Sequence, residues 1–369
     1  MQDEKLPVLI FAQSGRYLAE SASQAGYSVW LADCFGDSET RDLADRWQQL
    51  PLFEQLNSSQ LLTILTNIAN GEHCTFICGS GIEKYYSLLA QLPNNFHLVG
   101  NTDKIIHQLK TPELFFNLLA QHKLPYPQSQ FQLPASPDGW LFKLNTGLGG
   151  SHVIAADKAD NHNNGYFQQQ ITGNSGSILF LANGSKTKTL AINKQFTATI
   201  SPLPFQLSSI ETPLRLSAIN LQLLSKAINL ITQSIGLLGL NSLDFIIDDH
   251  EQLFILEVNP RPSASCELIH NKHLFDAHLQ ACIEILPESV AESPTNTSRL
   301  YYLFSPNSFV IPTDMNWPVQ CHDRPIAGTK IKQQHPICTV IISASSSKQC
   351  QHQYQQLRRQ IFNQLNVDT

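Results

Sequence analysis

The sequence predicts a combined α/β and α+β protein: a parallel sheet in its N-terminal part, a largely antiparallel body after it, and a small α/β appendage at the end. Three observations carry that prediction. Short apolar runs alternate with helical patterns over residues 7–99, as strands joined by crossover helices do. From Gly139 to about residue 200, β signals dominate, broken by glycine-rich turns at 147–150, 173–176 and 184. Two apolar strands, Ser242 to Ile247 and Leu253 to Val258, flank the polar turn Asp248 to Gln252 and read as a hairpin.

In the first region the runs are Pro7-Val-Leu-Ile-Phe-Ala12, Ser28-Val-Trp-Leu-Ala32 and Cys74-Thr-Phe-Ile-Cys78, with helices near Arg16 to Ala25 and Leu61 to Asn70. Asp33 ends the second strand, where an acidic residue would hold the ribose of a dinucleotide. The first turn, Ala12-Gln-Ser-Gly15-Arg-Tyr-Leu, lacks the G-x-G-x-x-G spacing that lets a backbone approach pyrophosphate, which weakens a dehydrogenase reading. Gly79-Ser-Gly-Ile-Glu83 follows an apolar strand and faces either a ligand crevice or a tight turn into a helix over Tyr85 to Leu92. Amphipathic helices follow at Lys104 to Leu109 and Pro112 to Gln121, and the turn Leu124-Pro-Tyr-Pro127 punctuates a junction.

After the β-rich stretch a long helix, Leu216 to Ile235, leads into the hairpin, and another helix spans His273 to Leu286. Residues 288–298 read as a linker, and residues 299–369 as the appendage, with the strand Cys338 to Ile342 and a Gln-rich helix, Tyr354 to Leu365. The expected division is 1–100, 101–290 with a glycine-rich lobe at about 139–200, and 299–369. At about 100–200 residues per domain, 369 residues accommodate it.

Composition excludes several classes. There are 24 basic and 30 acidic residues, net −6, and no basic stripe, so the footprint of a nucleic-acid binder is missing. The 32 Gln and 24 Asn supply much of the surface polarity that the 15% of charged residues do not. No apolar run approaches the roughly 18 residues of a membrane span, and the start is acidic, so no membrane partner and a cytoplasmic location are expected. Eight scattered cysteines without a CxxC pair fit reduced thiols; Cys74 and Cys78 have no second ligand pair at zinc spacing. Neither a Ser-His nor a Cys-His pairing emerges among the 13 histidines.

Chemistry concentrates in the hairpin. Glu257 and Asn259 are two apart on one strand and project from one face, and antiparallel pairing brings Asp244 to the same side. Two carboxylates and an amide oxygen are hard donors suited to Mg²⁺ or Mn²⁺ with coordination sites left for phosphate. Arg261, two further along, offers a fork of donors for phosphate or carboxylate. Upstream, Lys143 offers a point charge to a phosphate. Gly147, Gly149 and Gly150, closed by Ser151, let backbone N–H groups converge on a polyphosphate.

Together, the Glu257-x-Asn-x-Arg261 hairpin and the run Gly139-Trp-Leu-Phe-Lys-Leu-Asn-Thr-Gly-Leu-Gly-Gly-Ser151 resemble the ATP-grasp superfamily. The resemblance implies a pre-ATP-grasp, Rossmann-like domain followed by two α+β lobes that hold ATP, over residues 7–290. It implies that Lys104, in Asn101-Thr-Asp-Lys104, is the first nucleotide-binding lysine. It further implies that Tyr166 to Gly173 is the strand that binds adenine, through Gln168, Gln169, Gln170 and Ile171. Here amides stand where many members place a carboxylate, and Asn174 or Ser175 stands at the ribose position.

The activity implied is a carboxylate-amine ligase. ATP phosphorylates a small-molecule carboxylate, and an amine attacks the acylphosphate. Asn241-Ser-Leu-Asp-Phe, Glu257 to Pro262, Ser177 to Gly184, Asp323-Arg-Pro, Gly328 and Pro336 to Val340 resemble a subgroup linked to one-carbon coenzymes of the tetrahydromethanopterin and methanofuran type, including tyramine-glutamate ligase-like proteins. The rival readings are a kinase or carboxylase on the same fold, and a non-catalytic nucleotide-binding regulator.

Overall fold

The computed structural model describes residues 5–147, 149–159, 163–198, 204–269, 271–288 and 296–367. Strands β1 (Val8–Ala12), β2 (Val29–Asp33), β3 (Arg46–Gln49), β4 (Cys74–Cys78) and β5 (Phe96–Val99) form a wholly parallel sheet in the order β3-β2-β1-β4-β5. Every residue of β1 and β2 is buried, as continuous apolar strands covered on both faces must be. The crossovers include α1 (Arg16–Gln24), α2 (Ser38–Leu43) and α3 (Ser58–Ala69), the last opened by a capping box between Asn57 and Gln60. The order reverses between β1 and β4, so the turns after these two strands border the crevice. The second turn opens a short helix, α4 (Ile82–Tyr85), continued by a 3₁₀ segment to Gln91, in place of one regular helix to Leu92.

Asp33 is fully buried and spent on the fold: it accepts from Gly15 N–H (3.4 Å), Gly36 N–H (3.1 Å) and Trp47 Nε1 (3.0 Å). A ribose has no claim on it.

Helices α5 (Asp103–Lys110) and α6 (Pro112–Gln121) lead to a four-stranded antiparallel sheet. Its strands are β6 (Ser129–Gln130), β7 (Trp140–Leu144), β8 (Val153–Ala155) and β9 (Gly165–Gln169), in the order β6-β9-β7-β8. Next come β10 (Gly173–Asn183), β11 (Thr187–Thr197), β12 (Leu207–Thr212), α7 (Ala218–Ile235), β13 (Leu238–Asp248), β14 (Leu253–Asn259) and α8 (Leu274–Cys282). Helix α8 ends four residues before the expected Leu286.

The C-terminal elements are β15 (Thr297–Phe304), β16 (Phe309–Val310), β17 (Cys321–His322), β18 (Lys330–Ile331), β19 (Pro336–Ala344) and α9 (Ser347–Leu365). The short apolar strand and one-striped helix of this appendage predict that it docks on the body and adds a small sheet there. The docking takes the form of strand pairing, with β15 between β12 and β19, so one eight-stranded sheet runs β14-β13-β10-β11-β12-β15-β19-β17. Residues 289–295 of the expected linker lie outside the described residues.

Period-two alternation decides what each face of this sheet does. Ile178, Phe180, Leu243, Phe245 and Ile255 pack against Leu224, Ala227, Ile228 and Ile231 of α7. Leu179, Leu181 and Leu240 point the other way, onto Leu274, Ala277 and Ala281 of α8. Asp244 has the second orientation, and the one-residue register shift between Ile255 and Glu257 brings Glu257 and Asn259 to the same side, away from α7. Among the described residues no helix is long and apolar enough to cross a membrane, and all eight cysteines are free.

Candidate active site

Strands β13 and β14 pair with Asp244 opposite Glu257 and Ser242 opposite Asn259, and a register shift follows between Asp244 and Phe245. The irregularity bends the strand beside the carboxylates, as bulges near functional sites do. Gln195 Nε2 donates to Asp244 Oδ1 (3.1 Å), and Asn259 Nδ2 donates to Asp244 Oδ2 (3.1 Å). The amide oxygen of Asn259 is thereby turned toward Lys110, whose Nζ lies 3.4 Å from it and 3.0 Å from Glu257 Oε2.

The two carboxylates divide electrostatically. Burial, and then the charge of Glu257, push Asp244 up to about 7. Burial also works against ionisation of Glu257, but Lys110, His152 and Lys143 outweigh it and pull Glu257 down to about 2. One carboxyl thus holds its proton close to neutrality unless another cation arrives. With the amide oxygen of Asn259, this donor set fits a hard divalent ion.

On the opposing sheet, Lys143 of β7 donates to Gln168 Oε1 (2.7 Å), and Gln168 Nε2 donates to Ser129 Oγ (3.1 Å). Burial lowers Lys143 from the ordinary lysine range, against the opposing pull of Glu257 and Asp244. The glycine-rich turn after β7 folds beneath the start of β12: Leu207 N–H donates to Gly149 C=O at 2.9 Å. Gly150 has φ +76°, and a Cβ there would lie 1.9 Å from the carbonyl oxygen of Phe205, so only glycine fits. Leu148 lies outside the described residues, and Ser151 is exposed.

Several expected placements change. Lys104 sits exposed at the start of α5, while Lys110 at its other end reaches the hairpin. Six residues on a helix separate them by about 120° around the axis and about 9 Å along it. The sequence pattern ends this helix at Leu109, one residue short of Lys110, and nothing local to Lys110 points to a partner on the hairpin. Gln168 is buried, and its side-chain oxygen accepts from Lys143 Nζ. Gln169 and Gln170 are exposed, but their N–H groups donate to Gln128 O (2.8 Å) and Gly139 O (2.8 Å). Ile171 lies in the short connection between β9 and β10, at the seam of the two sheets. Gly173 does not turn the chain: it opens β10 against β13, where a Cβ would meet Ile247 O at 2.1 Å.

Arg261, just past β14, is tied down. Its Nε donates to Glu83 Oε1 (2.7 Å) and its Nη1 to Pro262 O (3.2 Å). Asp323 and Arg324 form structural ties. Arg16, 1% exposed, is surrounded by Glu20, Glu267 and Asp323, and Arg324 lies 3.3 Å from Glu39. These pairs bind the C-terminal elements to the first sheet.

Residues 113–265 match the family model of the ATP-grasp domain. No curated protein matches the chain. Among solved structures, an L-amino acid ligase from Bacillus licheniformis is 14% identical, with a TM-score of 0.70, over 97% of this chain and 98% of its own. A biotin carboxylase from Campylobacter jejuni is 12% identical, with a TM-score of 0.72, over 100% of this chain and 93% of its own. An N5-carboxyaminoimidazole ribonucleotide synthetase, bound to ADP, is 15% identical, with a TM-score of 0.68, over 99% of this chain and 100% of its own. The chain therefore has the fold of ATP-grasp enzymes, with an ATP-grasp domain between a Rossmann-like parallel sheet and the C-terminal strands. Solved neighbours of this fold are ligases and carboxylases that work with ATP.

Proposed function

We propose that the protein is an ATP-dependent ligase that joins a carboxylate to an amine through an acylphosphate. The observation that carries this reading is the cluster of Asp244, Glu257 and Asn259 on the hairpin with Lys110 from the end of α5, facing the sheet that bears Lys143 and the glycine-rich turn. Magnesium or manganese held by Asp244, Glu257 and Asn259 would supply neutralisation of phosphate charge. Lys143 and the turn from Gly147 to Ser151 bind and orient the polyphosphate, and the segment from Gln169 to Ile171 borders the base.

The substrate carboxylate oxygen takes the γ-phosphoryl group and ADP leaves. The amine nitrogen then bonds to the acyl carbon, loses a proton, and phosphate departs. Arg261 stabilises the charge on the transferring group. The similarity to one-carbon coenzyme ligases supports a substrate pair from that chemistry, in keeping with a cytoplasmic enzyme.

The test supplies Mg-ATP, a panel of carboxylic acids and hydroxylamine as acceptor, and measures ADP and hydroxamate. Equal amounts of both products are expected. ADP formed only with bicarbonate would indicate a carboxylase, a stable phosphorylated product a kinase, and no ADP with any acid a regulator. Glu257→Gln and Asn259→Ala should each lower ADP release by about a hundredfold or more, roughly 2.7 kcal/mol of barrier, with the fold intact. Unchanged release in either variant would refute the metal assignment.

A further inference from the structure

The turn Gly79-Ser-Gly-Ile-Glu83 has no part in the proposed chemistry, yet it builds toward the hairpin. Gly81 has φ +103°, and a Cβ there would lie 2.1 Å from the Phe53 ring. Only glycine can take this path, and it places Glu83 one residue into α4 with 1% exposure. Oε2 of Glu83 accepts from the Gly81 N–H (3.0 Å), which fixes the carboxylate within its own turn. Oε1 accepts from Arg261 Nε at 2.7 Å. Burial opposes ionisation of Glu83, but the charges of Arg261 and Lys110 outweigh it, so the carboxylate is held below its ordinary range.

The backbone that carries Arg261 is held from the same side. Asn101, 4% exposed, donates through Nδ2 to Leu238 O (3.1 Å), Asn241 Oδ1 (2.9 Å) and Pro260 O (3.0 Å), and accepts from Leu238 N–H (2.9 Å). Pro260 immediately precedes Arg261. Both ends of the arginine are therefore fixed by groups outside the hairpin: its guanidinium by Glu83 beyond β4, and its main chain by Asn101 beyond β5.

We infer that Glu83 is a positioning residue: it aims the Arg261 guanidinium at the transferring phosphoryl group, so the first parallel sheet completes the active site of the hairpin. A guanidinium anchored through Nε keeps its outer nitrogens directed one way. An unanchored one samples several rotamers and loses preorganised charge stabilisation. The inference rests on the catalytic role proposed for Arg261, and the experiment separates the two.

Glu83→Gln, Arg261→Gln and the double variant are compared with the parent for ADP release from Mg-ATP with hydroxylamine and the carboxylic acid on which the parent is most active. Glu83→Gln should lower kcat by about tenfold or more while KM for ATP stays within about twofold, because Lys143 and the glycine-rich turn are untouched. In the double variant no buried charge is left unpaired, so it serves if Glu83→Gln alone folds poorly. It should be no slower than Arg261→Gln. Full activity in Glu83→Gln beside a defective Arg261→Gln would overturn the inference. So would a double variant slower than Arg261→Gln by the full single-variant factor. Full activity in Arg261→Gln would instead overturn the catalytic role of the arginine, and the positioning role with it.

Discussion

His278 ties the first sheet to the strand that carries Asp244, and its protonation should break that tie. The side chain is buried on α8, where Nδ1 accepts from the Leu240 N–H at 2.9 Å, Nε2 lies 3.8 Å from Cys282 Sγ, and the ring meets the backbone of Val99, the last residue of β5. Only the neutral tautomer protonated on Nε2 lets Nδ1 accept. Burial lowers the imidazole from 6.5 to about 4, against the raising effect of the Val99 backbone. The unfolded chain therefore binds more protons between pH 6.5 and 4, and stability contributed above pH 6.5 is lost as pH falls toward 4.

That difference amounts to about 3 kcal/mol in full, of which about 2 kcal/mol is lost by pH 5. Asp37 and Glu267, each pushed up to about 7, mainly by burial, give slopes of the opposite sign, so the parent curve alone is uninformative. The useful quantity is the difference from His278→Asn, whose Oδ1 can still accept from Leu240 but does not titrate. The asparagine leaves a cavity with a constant cost, roughly 1 to 3 kcal/mol. The change in melting temperature on going from pH 7 to pH 5 should differ between the variant and the parent by roughly 2 to 3 °C, with the variant losing less. An equal fall in both proteins would refute the argument.

Gly150→Ala should cut affinity for Mg-ATP by tenfold or more with the fold retained, since φ +76° and the Phe205 carbonyl at 1.9 Å both oppose a Cβ; calorimetric titration showing parental affinity would count against the phosphate-binding turn. Removing residues 296–369 strips β15 from the edge of β12 and Asp323 from buried Arg16. The shortened chain should aggregate or melt at least 10 °C lower, and a soluble protein with parental melting temperature would refute this structural dependence.

The legibility of the first sheet followed burial. β1, β2 and β4 are apolar runs and could be read directly, whereas β3 reads Arg46-Trp-Gln-Gln49 because it is an edge strand whose residues are half-buried or exposed. Helix α9 was expected to begin at Tyr354 but starts at Ser347, capped by the Ser346 side chain. The seven added residues are mostly polar, so periodicity gave no sign of them. In the C-terminal part the strand Cys338 to Ile342 was visible, but its pairing was not, because a β-branched run does not state which edge it joins.

The site was legible where one strand determines it. Glu257 and Asn259 share a face by period two, but the turn alone would set Asp244 opposite Leu256; the one-residue register shift between Asp244 and Phe245, which no sequence pattern announces, is what brings Glu257 opposite Asp244. Groups that reach the site from other elements left weaker marks. Lys110 ends a helix, Glu83 follows a glycine turn, and Gln195 is one amide among 32; each has an ordinary local explanation. What distinguishes them is their partner, 147, 178 and 49 residues away in the chain, respectively. Such pairings need the tertiary fold: Glu83 meets Arg261 only because the strand order of the first sheet reverses beside β4, and the turn there closes on the end of β14. The first sheet, which in the sequence reads as a pre-ATP-grasp domain, thus meets the end of the hairpin through the pairing of Glu83 with Arg261.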